Sequence, residues 1–206
     1  MKNFFAALIL MLCCFISSAQ RLERFGNNGV SYADIKTLYG NIPTENIRHA
    51  LIKDTVSYFV YLWLPDSASE ISVRMFSPVP KNVFPNTGEK ITEDFKDPPD
   101  TAYKKYFDTE IWFEKATNAF APQDAFEKTK LVWRQLGHND NSGERNNSLL
   151  RIVSDRKKNI HLSRGLYRVR FRAHEEKNPE GTFMLQLGLK EMIPGVKLFR
   201  LKEELQ

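Results

Sequence analysis

Two polar residues, Asp108 and Thr109, stand where a charged stretch of the chain passes into a predicted β-strand. A carboxylate beside a threonine hydroxyl offers the hard oxygen donors that Ca²⁺ prefers, although Ca²⁺ takes roughly six to eight of them. A turn held by side-chain-to-backbone hydrogen bonds also accounts for this pair, and the residue types alone favour it. Further oxygen donors surround Gly143, although without the spacing of an EF-hand: Asn139, Asp140, Asn141, Ser142 and Glu144.

A second candidate site is the arginine row in the stretch SRGLYRVRFR. Successive side chains of an extended strand point to opposite faces, so Arg168, Arg170 and Arg172 share one face, opposite the apolar residues between them. Such a row can bind sulfated or phosphorylated glycans, lipid head groups or acidic protein surfaces. The alternative is an outer face on which each arginine pairs with an acidic residue of a neighbouring strand. The near balance of 30 basic and 25 acidic residues favours that alternative.

Residues for catalysis are not arranged in any recognisable pattern. The four histidines lack the spacing of metal ligands, and no G-x-S-x-G stretch occurs. Adjacent carboxylates such as Glu175 and Glu176 diverge in an extended chain. The sequence therefore predicts a non-enzymatic protein, with Ca²⁺ as the one candidate cofactor. The formal net charge of +5 suits anionic glycans or envelope surfaces and does not amount to a nucleic-acid signature.

These candidates must be positioned by strands. The dense β-branched and aromatic run at residues 55–65 predicts a buried central strand, and residues 70–78 alternate as a second one. Residues 121–137 space their apolar side chains in a loosely helical way and predict the one convincing helix. Further strands are predicted within 104–116, 149–153, 164–171 and 181–189. Several short strands with turn-rich connections and one helix indicate a mainly β protein, an antiparallel β-sandwich.

The first residues have the pattern of an export signal. Lys2 precedes a short apolar run, and the small residues before Gln20 predict cleavage after Ala19. The alternative is an N-terminal membrane anchor. Both cysteines, Cys13 and Cys14, lie inside this segment without the small preceding residue of a lipoprotein signal. We therefore predict a signal peptide (1–19), an irregular segment packed on the domain (20–53) and a single domain (54–206).

Seven stretches together resemble the major surface lipoprotein family of pathogenic leptospires. They occur in the family's order over about residues 58–196: YFVYLWLP, SVRMFSP, YFDTEIWFEKA, NNSLLRI, SRGLYRVRF, EGTFMLQLGL and IPGV. The combination of FDT and RGLYR in one ordered series is what makes the resemblance specific. Residues 20–53 match weakly or not at all.

The resemblance implies a jelly-roll-like β-sandwich with short helices, in a non-enzymatic outer-membrane or cell-surface protein that binds Ca²⁺. It implies Asp108 and Thr109 as metal ligands, with a main-chain carbonyl at Asn146 and an acidic loop of which Asp140 is the remaining aspartate. It also implies adhesion to extracellular-matrix proteins such as fibronectin, collagen and laminin. Envelope polysaccharide is the alternative partner, and it is suggested by the arginine row. Attachment by a lipid anchor and assembly into a homo-oligomer are left open by the sequence.

Overall fold

The strands and helices are taken from a computed structural model of the chain. It describes residues 23–25, 30–42, 49–52, 55–79, 85–92, 95, 109–140, 147–173 and 181–205. The strands, in chain order, are β1 (Glu23–Phe25), β2 (Val30–Tyr32), β3 (Asp34–Ile42), β4 (His49–Ile52), β5 (Thr55–Leu64), β6 (Glu70–Phe76), β7 (Lys90–Ile91), β8 (Thr109–Ala116), β9 (Trp133–Asn139), β10 (Asn147–Val153), β11 (Gly165–Ala173), β12 (Gly181–Leu189) and β13 (Lys197–Phe199). The helices are α1 (Asp124–Glu127) and a 3₁₀ turn (Lys202–Leu205).

Two sheets face each other, as the strand pattern predicts. In the described residues, sheet I has the order β10-β6-β12-β3-β7 and sheet II the order β13-β5-β11-β8-β9, with β4 also paired to β5. All pairings are antiparallel except β3 with β7. A small separate ribbon joins β1 and β2. The predicted antiparallel β-sandwich with short helices is confirmed.

The central strand β5 is buried on both faces, which explains its unbroken apolar sequence. Val60 and Leu62 face the core between the sheets, together with Phe113 of β8. The side chains between them form a second apolar cluster on the other face of sheet II, which we call the outer cluster. Its buried members are Phe59, Tyr61, Trp63, Ala116, Ala125, Leu166 and Phe199.

Two predictions about local structure are wrong. The helix predicted over 121–137 is limited to Asp124–Glu127, because Lys128 already has an extended conformation (φ −78°, ψ 126°), and residues 133–139 form β9. Residues 133–139 pair with β8, from Ile111 opposite Asn139 to Ala116 opposite Trp133. This pairing stabilises a strand more than the weak helical spacing of the apolar residues stabilises a helix. His138 is part of the same strand. The segment expected to be irregular, residues 20–53, contains four strands, of which β3 lies inside sheet I.

At one end of sheet I, the Glu70 side chain holds two neighbouring side chains together. Its carboxylate accepts hydrogen bonds from the Tyr32 hydroxyl at 2.6 Å and from Nε and Nη2 of Arg151, both at 2.7 Å. The bonds from Arg151 are the main reason that the pKa of Glu70 lies below its usual value. Burial and the bond to Glu70 raise the pKa of Tyr32 to about 12.

Acidification is expected to weaken the fold through Glu70. Because its pKa is lower in the folded state, its contribution to the free energy of unfolding is complete above the ordinary value of 4.5 and is lost as the pH falls through the lowered one. Urea unfolding of Glu70→Gln should therefore depend less on pH below 4.5 than that of the wild type. Identical pH profiles for the two proteins would contradict this role.

No helix in the part of the chain described above is both long and apolar enough to cross a membrane.

Candidate functional site

The predicted calcium ligands map to one end of the sandwich. Thr109 is the first residue of β8 and is buried, whereas Asp140 directly follows β9 and is exposed. Since β8 and β9 are antiparallel with Ile111 opposite Asn139, the beginning of β8 lies beside the end of β9. Asp108 and Asn146, the other two predicted ligands, lie outside the described residues.

The beginning of β10 reaches the same end. The Asn139 side-chain amide donates a hydrogen bond to the Leu149 carbonyl, which connects β9 of sheet II to β10 of sheet I. The connection between Asp140 and Asn147 therefore starts and finishes at this end of the sandwich. The start of β8, the end of β9 and the start of β10 therefore lie close together. Each of these strand ends carries or flanks a predicted ligand.

Glu110 lies next to Thr109, but both of its oxygens already have partners. Oε1 lies 2.7 Å from Nε2 of His138, and Oε2 accepts a hydrogen bond from Nε of Arg172 at 2.5 Å. Among the described side chains, no group of three His, Cys, Asp or Glu residues could hold a metal ion. A calcium site at this end would thus use Thr109 and Asp140, whose oxygens suit a hard cation, with donors from Asp108 and Asn146.

The arginine row lies where the alternation predicts, on the outer face of sheet II. Two glutamates of β8 face it. Nε of Arg168 donates to Glu114 at 2.6 Å, and Nε of Arg170 lies 3.5 Å from the other oxygen of Glu114. Arg172 pairs with Glu110. The arrangement left open by the sequence, in which each arginine pairs with an acid of a neighbouring strand, is the one observed.

Aromatic rings pack against the same guanidinium groups. Cζ of Arg170 lies 3.6 Å from the ring centre of Trp112, and the His138 ring stacks on Trp112 at 4.8 Å. Arg168 lies over Trp133 at 4.1 Å. Burial is the main cause that lowers the pKa of Arg170 from its ordinary value. The row is therefore a stacked ladder in which two carboxylates offset the charge of three guanidinium groups, rather than a set of freely solvated cations.

An open cleft of about 260 Å³ lies beside this ladder. Arg168 forms one wall, Tyr61 and Trp133 provide aromatic rings, and Lys128 contributes a second cation. The cleft can accommodate a small ligand with apolar and anionic parts.

Glu110 and Glu114 are the site residues that sequence reasoning missed. They alternate with Ile111 and Phe113 in the stretch EIWFE, so strand periodicity places them on the face opposite the core. That alternation was a usable signal. Choosing β8 as the neighbour of β11 required the sheet order, which the sequence does not give.

The family model described as surface lipoprotein of Spirochaetales order matches this chain over residues 27–198 of 206. No curated protein matches the chain. The matched range contains both candidate sites and includes β3, which lies before the stretches that carry the sequence resemblance. The match confirms that resemblance and indicates an exported protein of the cell envelope or surface. The chain belongs to the family of surface lipoproteins of the order Spirochaetales.

Proposed function

We propose that this protein is a non-enzymatic binding module of the cell envelope or surface whose sandwich takes Ca²⁺ at the end where β8 begins. The observation that supports this most directly is the convergence of Thr109, Asp140 and the start of β10 at that end. Asp108 and the Asn146 carbonyl would complete the ligand set. A cation there would bind elements of both sheets and so stabilise their alignment.

Membership of the surface lipoprotein family is the basis on which we propose the ligand of this module. Extracellular-matrix proteins or envelope polysaccharide are the partner classes that suit an adhesive surface protein with a mild positive charge. Ca²⁺ would act by joining the start of β8 to the end of β9 rather than by chemistry.

Calcium binding is tested by thermal unfolding. At a Ca²⁺ concentration 100 times the dissociation constant, the free energy of unfolding should rise by about 2.7 kcal/mol, because only the folded state binds the ion. The variants Asp108→Asn and Thr109→Val should lose this gain. Asp66→Asn, which changes an exposed carboxylate in the turn after β5, is the matched control and should keep it.

Two outcomes would contradict the calcium site. One is a melting temperature that does not respond to millimolar Ca²⁺. The other is an equal response in the wild type and in Asp108→Asn, which would assign the ion to a different place. Mg²⁺ should substitute poorly, because it demands a tighter octahedral geometry.

A second candidate function is anion or carbohydrate binding by the face of Arg168, Arg170 and Arg172. The favouring observation is that Arg168 borders the aromatic cleft beside Tyr61 and Trp133. A bound anion would compete with Glu114 for that guanidinium. Loss of sulfated-saccharide binding in Arg168→Gln, with the fold retained, would support this function.

A further inference from the structure

A second, larger cleft of about 450 Å³ lies at the far end of β8 from the predicted calcium site. Its walls come from the end of β8, the start of β9, the connection after β8 and the segment that leads into β11. The lining combines four basic side chains with one exposed aromatic ring: Lys115, Arg134, His161, Arg164 and Phe120.

Lys115 occupies a position that the strand pattern would assign to the core. It continues the inward-facing row of Ile111 and Phe113, both fully buried, and is itself partly buried. Its ammonium group donates to the Ser163 hydroxyl at 2.5 Å and to the Ser163 carbonyl at 3.2 Å, and it lies 5.2 Å from the ring centre of Tyr167. These neutral contacts orient the charge but do not compensate it.

Arg134 lies directly opposite Lys115 in the β8–β9 pairing. Like charges in such a cross-strand pair destabilise a sheet. Among the described residues, no carboxylate lies within ion-pair distance of Lys115, Arg134 or Arg164. Burial, and then the charge of Arg134, lower the pKa of Lys115. The cleft thus concentrates positive charge for which the described part of the chain provides no carboxylate partner.

The outer ladder shows that this fold does place acids beside its arginines elsewhere. Arg168, Arg170 and Arg172 all have glutamate partners on β8. On the opposite side of the same strand, Lys115 and its neighbour Arg134 have no glutamate partner among the residues that the structure describes. The contrast singles out Lys115 and Arg134 as a cationic pair whose charge a bound anion could offset.

The rim of the cleft suggests what carries that charge. Phe120 is 78% exposed, the most exposed large apolar residue among those described, and it borders the cleft. An aromatic face can pack against the C–H face of a sugar ring while cations bind an acidic substituent.

We propose that this cleft binds a sulfate or phosphate ester carried on a saccharide, with Lys115 and Arg134 around the anion and Phe120 against the sugar ring. The site is distinct from the calcium end of the sandwich and from the paired arginine face. It adds an anionic-glycan specificity that the calcium function does not require.

The test is calorimetric titration in EDTA, so that calcium cannot bridge the ligand. The probes are a heparin-derived tetrasaccharide, its desulfated form, inorganic sulfate, inorganic phosphate, and phosphatidylglycerol vesicles. The sulfated tetrasaccharide should bind most tightly, and Arg134→Gln should weaken it by roughly tenfold or more through loss of a charge-assisted contact. Phe120→Ala should weaken the tetrasaccharide but not inorganic sulfate. Lys190→Gln, which removes one exposed lysine after β12, is the matched control and should bind as the wild type.

A stability readout separates binding from folding. Relief of the repulsion between Arg134 and Lys115 should offset loss of the exposed hydrogen bond from Arg134 to the Asn159 carbonyl. Arg134→Gln should therefore keep the melting temperature of the ligand-free protein while binding is lost. The proposal is overturned by equal losses in Arg134→Gln and Lys190→Gln, or by binding of vesicles or free ions with no gain from the saccharide. It is also overturned by loss in Arg168→Gln alone, which would place binding on the outer face.

Discussion

Replacement of Glu114 by glutamine is expected to lower the free energy of unfolding by about 3–5 kcal/mol. Glu114 is only 7% exposed, and the side chains of its partners Arg168 and Arg170 are 13% and 12% exposed. Without the carboxylate, two largely buried guanidinium groups would lose their counter-charge, and Glu110 is already occupied by Arg172 and His138. The loss therefore comes from the uncompensated charges rather than from a single hydrogen bond.

Urea unfolding provides the measurement, with Glu127→Gln as the matched control. The pair of Glu127 with Lys202 is exposed, at 53% and 56%, so its removal should change stability by less than about 1 kcal/mol. A loss in Glu114→Gln no larger than in the control would mean that the guanidinium groups are effectively solvated. That result would strengthen the anion-binding interpretation of the outer face, because the arginines would then be available to a ligand.

The outer face of sheet II shows which features of a site the sequence can predict and which it cannot. Period-two alternation in RVRFR correctly separates the arginines from the core residues Val169 and Phe171. The alternation does not show whether these arginines have acidic partners, because that depends on which strand lies beside β11 and on its register. Arg168 opposite Glu114 and Arg172 opposite Glu110 are non-local pairs. The alternation therefore predicts which way the arginines point, whereas the order of the strands in the sheet determines which residues they pair with.

The cationic cleft was beyond sequence reasoning for a related reason. Lys115 could be placed on the inner face by alternation, but Arg134 was assigned to a helix. In the structure it lies in β9, beyond a bulge between Phe113 and Glu114 of β8 that shifts the register. Only that pairing brings the two cations together. An edge strand with few apolar residues, such as β9, is identified from its pairing with a neighbouring strand and not from its own sequence pattern.

The calcium end depended on the family resemblance, because local chemistry favoured an ordinary turn. The structure adds the placement of Thr109 and Asp140 at one end of the sandwich. Metal binding itself stays a prediction.

Strand β3 is the part of the sandwich that the sequence describes least well, and its packing leads to the second large expected effect. Phe183 of β12 lies directly opposite Gly40 of β3 and is fully buried, with its ring 5.3 Å from that of Phe171 across the core. Phe183→Ala should cost about 3–5 kcal/mol, the loss of a large ring plus the cavity left behind. Phe120→Ala, at an exposed ring, is the matched control and should change stability by less than about 0.5 kcal/mol.

Gly40 allows this packing, because a Cβ atom there would lie 2.8 and 2.9 Å from two ring carbons of Phe183. Gly40→Ala alone should therefore cost about 1–3 kcal/mol, although alanine normally suits a strand better than glycine. In the Phe183→Ala background the same change should cost almost nothing, since the new methyl group enters the cavity. The double-mutant cycle should thus give a coupling of at least about 1 kcal/mol. Additive losses would mean that β3 does not pack against Phe183. A measured coupling would establish that the segment before residue 54 forms part of the core and is not an appendage on its surface.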